Sequence, residues 1–73
     1  MTLRSIDYFP TNLYRARTDR NITHDELSEM TGLSTRVIYD YEAGKRKPSF
    51  PALISISNAL HVSIDSLVTK DNE

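Results

Sequence analysis

The chain is cut into short helical lengths by its own start and stop signals, and that punctuation constrains its fold more than any other feature. Apolar residues recur at helical spacing and do not alternate: Leu13 and Ala16, Leu27 and Met30, then Val37, Ile38 and Tyr41, then Leu53, Ile56 and Leu60. Pro10 followed by Thr11 opens a first helix that runs to about Arg20, and Asn21 closes it by entering the left-handed region. Thr23-His24-Asp25-Glu26 reads as a capping box, in which the Thr23 hydroxyl accepts from the Glu26 amide and the Glu26 carboxylate accepts from the Thr23 amide. A second helix therefore starts at His24. It runs out at Thr31, where Gly32 permits a sharp turn, Leu33 plugs the turn and Ser34 caps a third helix ending near Ala43, with Gly44 as its stop.

Pro48 disfavours helix at Lys47 and holds Lys45-Arg46-Lys47, the densest basic run, in an extended loop. Ser49 or Phe50, with Pro51 in the first turn, opens a fourth helix ending at about Leu60. Ser63 caps a last short helix, and Lys70 to Glu73 are expected to fray.

At 73 residues the chain makes one small domain, too short for most enzymes built round a buried cofactor. Cys is absent, so no disulfide or thiolate metal site is available, and stability must come from closely packed helices or a partner subunit. This usage fits a reducing cytoplasm. Neither a signal peptide nor a membrane span is expected, because apolar stretches are only a few residues long. His24 and His61 lie on distant segments, so no metal site is expected either. No nucleophile with its base and orienting acid and no Gly-rich phosphate loop is visible, which argues against an enzyme and leaves no cofactor to assign.

The stretch from His24 to Pro48 carries the functional signal. Two short helices joined by a turn containing Gly form a helix-turn-helix, whose second helix can lie in the DNA major groove. The residues Ile22 to Ser28, Gly32-Leu33-Ser34, Ile38, Glu42 to Pro48 and Leu60 to Leu67 stand at offsets that resemble the Cro/CI-type repressors, the XRE family. The resemblance covers about residues 12 to 68 and implies an all-α, five-helix lambda-repressor-like DNA-binding domain. On this reading residues 10–68 are the helix-turn-helix domain, 1–9 an N-terminal extension and 69–73 a frayed tail.

The resemblance places base reading on Thr35, Arg36, Tyr39 and Asp40. Periodicity agrees, since Val37, Ile38 and Tyr41 form the buried stripe of that helix and leave 35, 36, 39 and 40 on the outer face. Arg36 has a planar fork that matches the two acceptors of guanine. Thr35 can touch a thymine methyl or a phosphate, and Tyr39 can pack on a sugar or methyl group. Asp40 is repelled by phosphates unless it accepts from a cytosine amino group or pairs with Arg36 one helical turn away.

The phosphate grip is assigned to His24, Ser34, Lys45, Arg46 and Lys47. His24 stands where the family usually has Gln, and an exposed first-turn residue without a DNA role is the alternative for it. Ala43 replaces a frequent Asn, which removes one phosphate contact. Ser28 and His61 replace the usual Ala and Gly; Ser is small, and His is among the residues that enter the left-handed region. Arg17 and Glu42 are read from the resemblance as a structural ion pair tying the first helix to the third.

The formal net charge is −1, with nine Lys and Arg against ten Asp and Glu, which argues against a uniformly basic surface. It is unevenly spread: residues 21–44 carry one positive and five negative charges, whereas residues 45–47 carry three positive charges. A sequence-specific regulator of repressor type is therefore the leading expectation. It would bind a roughly palindromic double-stranded operator as a homodimer, through Val62 to Val68 or Leu3 to Phe9, since the chain is too short for a separate dimerisation domain. The alternative is an antirepressor that uses the same fold to bind another repressor protein, motivated by the acidic helix-turn-helix and the two Tyr on its second helix.

Overall fold

The computed structural model describes residues 3–70. A 3-10 turn at Ile6–Tyr8 leads into five helices: α1 Phe9–Asp19, α2 His24–Thr31, α3 Thr35–Glu42, α4 Phe50–Leu60 and α5 Ile64–Leu67. Among the described residues the β structure is a single antiparallel bridge, Arg4 with Thr69.

The capping chemistry is regular. Thr23, Ser34, Ser49 and Ser63 each stand in extended backbone ahead of a helix and accept a hydrogen bond from the third amide of that helix. At Thr23 the box is complete, with the Glu26 carboxylate accepting the Thr23 amide at 2.8 Å. Asn21 and His61 take φ of 55° where α1 and α4 end.

α1 packs on α3 and α5, α2 packs on α3 and α4, and α4 closes on α5. Leu13, Leu27, Ile38, Ile56 and Leu60 are fully buried at the centre of this arrangement. Each such side chain contributes about 1.5–3 kcal/mol by leaving water.

The structure departs from the sequence reading in three places. Met30 shares the spacing of Leu27 but is half exposed, because α2 is only eight residues long and turns a narrow face inward. Phe9 belongs to the core, 1% exposed and edge-on to Tyr41 at 5.5 Å, so α1 starts one residue early and the N-terminal segment is part of the domain. The expected fraying at residues 69–70 is replaced by pairing: the Ser5 amide donates to Val68 O at 2.7 Å and the Lys70 amide to Leu3 O at 2.8 Å. Asn12 on α1 adds to this, its side-chain amide reaching the carbonyls of Leu67 and Thr69. The remainder of the expected tail, and the first two residues of the expected extension, lie outside the described residues.

Tyr41 is 4% exposed, and burial raises its pKa above the ordinary tyrosine value while nearby Arg46 opposes the shift. The folded chain thus holds this proton more tightly than the unfolded chain. The resulting stabilisation is full below about pH 10 and is lost as pH rises through the folded value. Urea unfolding should accordingly show stability falling as pH rises above about 10, with the fall reduced in Tyr41→Phe.

Candidate nucleic-acid interface

The turn between α2 and α3 is built by short polar side chains. Gly32 takes φ of 79°, a left-handed conformation that disfavours a side chain. The Thr31 hydroxyl donates to Leu27 O at 2.7 Å and accepts from the Leu33 amide at 3.2 Å. Ser28 donates to Leu33 O at 2.5 Å. From sequence Ser28 reads only as a tolerable small residue; in the structure its hydroxyl ties α2 to the turn and so sets the angle at which α3 leaves.

On α3 the four candidate base-reading residues differ in how they stand. Arg36 has 85% of its side chain exposed, with Nε 3.5 Å from Asp40 Oδ1. Asp40 is therefore paired one turn away and presents little unbalanced negative charge to an approaching anion. Tyr39 is 55% exposed and Thr35 is half-buried. Ser34 accepts the Val37 amide at 3.1 Å, so its hydroxyl is engaged as the cap of α3.

After α3 the chain turns at Ala43 and at Gly44, whose φ is 75°. The Lys45 amide donates to Asp40 O at 2.8 Å, fixing the start of the basic loop against the end of α3. Lys45, Arg46 and Lys47 are all exposed, and Lys47 makes only a distant surface pair with Asp7, 3.8 Å away. Such exposed pairs are worth little and yield readily to another anion.

Beneath this surface lies a carboxylate shared by two partners. Arg17, 6% exposed, donates from Nε to Glu42 Oε2 at 2.7 Å and from Nη2 to Oε1 at 3.1 Å, while its Nη1 reaches Ile22 O at 2.8 Å. The hydrogen bond to Glu42 raises the Arg17 pKa despite the opposing cost of burial, so the guanidinium stays charged.

His24 is the second partner, with Nε2 3.0 Å from Glu42 Oε1. Its imidazole also stacks on the Tyr39 ring, centroids 3.9 Å apart and planes 20° from parallel. The ring is half-buried and turned inward to Glu42 and Tyr39, so His24 is not the idle exposed residue of the alternative sequence reading. The resemblance pairs residue 17 with residue 42, but spacing carries no signal for the third partner, because His24 joins the pair only through the crossing of α2 over α3.

Four similarities bear on this geometry. The helix-turn-helix family model matches residues 13–67. An uncharacterised HTH-type transcriptional regulator of Bacillus subtilis, YqaE, is 35% identical over 60 residues, spanning 82% of this chain and 52% of the relative. Another, y4dJ of Sinorhizobium fredii, is 32% identical over 63 residues, 86% of this chain and 82% of its own. The chain thus spans about half the length of the first relative and most of the second. Among solved structures, the P22 c2 repressor in complex with a synthetic operator superposes with a TM-score of 0.78 at 27% identity, covering 82% of this chain and 91% of the repressor chain. With a match over this much of its length, a lambda-repressor-like arrangement of five helices and the α2-turn-α3 geometry, the chain belongs to the Cro/CI-type helix-turn-helix family of transcriptional regulators.

Proposed function

We propose that this domain binds double-stranded DNA in a sequence-specific way and represses transcription by occupying an operator, with α3 in the major groove. The observation that carries the reading is the outer face of α3. Arg36 projects into solvent with its guanidinium steadied by Asp40, and the Lys45 to Lys47 loop stands at the end of the same helix. A planar donor pair on a groove-sized helix reads guanine, and a cationic loop beside it meets phosphates. The likeness to a repressor solved on its operator supports the same placement.

In this reading Thr35, Arg36, Tyr39 and Asp40 face the bases. Lys45, Arg46 and Lys47 hold the backbone, and the backbone amides at the start of α2 and α3 supplement them. The Ser34 hydroxyl is occupied as a cap, so its contribution to phosphate binding falls to that helix end. Two copies would set their α3 ends about 34–36 Å apart, one turn of DNA, on a palindromic site in the cytoplasm. The pairing of Asp40 with Arg36 weakens the case for a repressor-binding module, because the acid that motivated it is neutralised within its own helix.

The test is selection of bound sequences from a pool of random duplex DNA, followed by affinity measurement over a salt series. A recovered motif supports the proposal; weak binding with no motif at low salt rejects it. Arg36→Ala should relax preference at one base pair, at a cost of about 1–3 kcal/mol, while leaving the salt dependence nearly unchanged.

A further inference from the structure

We infer that His24 is a positioning residue for sequence readout: it serves as a fixed aromatic platform that holds the Tyr39 ring in place on the DNA-facing side of α3. The inference rests on the DNA-binding reading above and assigns a role within that site. Tyr39 is 55% exposed, and a tyrosine that stands out from a helix into solvent normally samples several rotamers. Here one face of its ring is covered by the imidazole, nearly parallel at 3.9 Å between centroids. The platform is itself anchored, because His24 Nε2 is 3.0 Å from Glu42 Oε1 and that carboxylate is held by the buried Arg17.

The chain of restraint runs from α1 through α3 to the first residue of α2 and back to the outer face of α3. Each link is a hydrogen bond or ring contact within ordinary range. A ring ordered before DNA arrives loses less entropy when it packs against a sugar or a thymine methyl, and it can reject a base pair whose edge does not fit the fixed position. The placement of His24 on α2 thereby contributes to specificity without the imidazole having to touch DNA.

The experiment compares the wild-type chain with His24→Gln, His24→Phe, Tyr39→Ala and the double variant His24→Gln/Tyr39→Ala. Gln keeps an amide donor for Glu42 but removes the aromatic face; Phe keeps the face and removes the donor. For each protein the bound sequences are selected from random duplex DNA, and affinity for the wild-type motif is measured over a salt series. Nuclear magnetic resonance of the free protein reads the ring-current shifts of the Tyr39 ring protons.

His24→Gln should weaken binding to the wild-type motif by about threefold to tenfold, the scale of one aromatic stack. It should blur the motif at the position that Tyr39→Ala blurs, leave the salt slope unchanged and have no further effect once Tyr39 is Ala. His24→Phe should keep the preference at that position. In the free wild-type protein the Tyr39 ring protons should be shifted upfield, and the shift should vanish in His24→Gln.

Several results overturn the inference. One is equal weakening of all sequences with a flatter salt slope, which makes His24 a phosphate ligand. Another is a His24→Gln effect that adds fully to that of Tyr39→Ala. The third is an unshifted Tyr39 ring in the wild-type protein, a measurement that stands even where a variant fails to fold. A wild-type chain that selects no motif rejects the DNA-binding reading itself, and the inference with it. A wild-type motif untouched by His24→Gln rejects the role of His24 alone.

Discussion

Glu42→Ala should lower the unfolding free energy by about 3–5 kcal/mol, the usual cost of leaving one partner of a buried ion pair without the other. A domain of this size has a total stability of about 4–10 kcal/mol, so the variant should sit near the edge of folding, with its midpoint lowered by about 4–8 °C per kcal/mol lost. The reason is local. The Arg17 side chain is 8% exposed and directs two of its three donor contacts to Glu42, so truncating the carboxylate strands a charge that cannot reach water. His24 loses its partner at the same moment.

The double variant Arg17→Met/Glu42→Leu should recover part of the loss, because two apolar side chains can fill the space with no buried charge left over. Recovery should be incomplete, since Ile22 O would lose the donor it now has from Arg17. Urea unfolding of the three proteins at neutral pH measures these differences. A Glu42→Ala chain as stable as the wild type would mean that the pair does not hold α1 to α3.

The second large effect concerns the basic loop. Replacing Lys45, Arg46 and Lys47 together with Ala should flatten the dependence of log affinity on log salt by up to about 2.7, at about 0.9 for each phosphate no longer neutralised. Between 50 and 200 mM salt the wild-type protein would then lose about fortyfold more affinity than the variant, counted from the same slope. The selected motif should survive, because phosphate contacts position the protein and base contacts specify the sequence. A variant that kept the wild-type slope would place the phosphate grip elsewhere, and Arg36 would be the next cation to examine on that face.

Much of the fold is legible in local sequence because it depends on local rules. The capping box at Thr23, the Gly32 turn, the Ser34, Ser49 and Ser63 caps and the left-handed Asn21 are all decided by residues within a few positions of one another. What escapes is non-local. Phe9 is one residue upstream of the apparent helix start, so although Leu13 follows it at helical spacing, its burial becomes visible only when Tyr41 is brought against it. Met30 repeats the spacing of Leu27, but spacing alone does not say how wide a face a short helix can bury. His24 and Tyr39 are 15 positions apart on different helices, and the angle between those helices decides that they meet. The pairing of Arg36 with Asp40, by contrast, is a one-turn contact and is readable at once.

The pairing of the two chain ends bears on the order in which the molecule can be made. Residues 3 to 5 pair through their backbone with residues 68 to 70, and Asn12 donates to carbonyls at 66, 67 and 69. On a ribosome adding about 5–20 residues each second, residues 3 to 5 emerge well before their partners at 68 to 70. Helices α1 to α3 can assemble through contacts close in sequence, but closure of the domain waits for its final residues. A chain interrupted after α4 would leave residues 3 to 5 without the backbone partners that they have at 68 to 70.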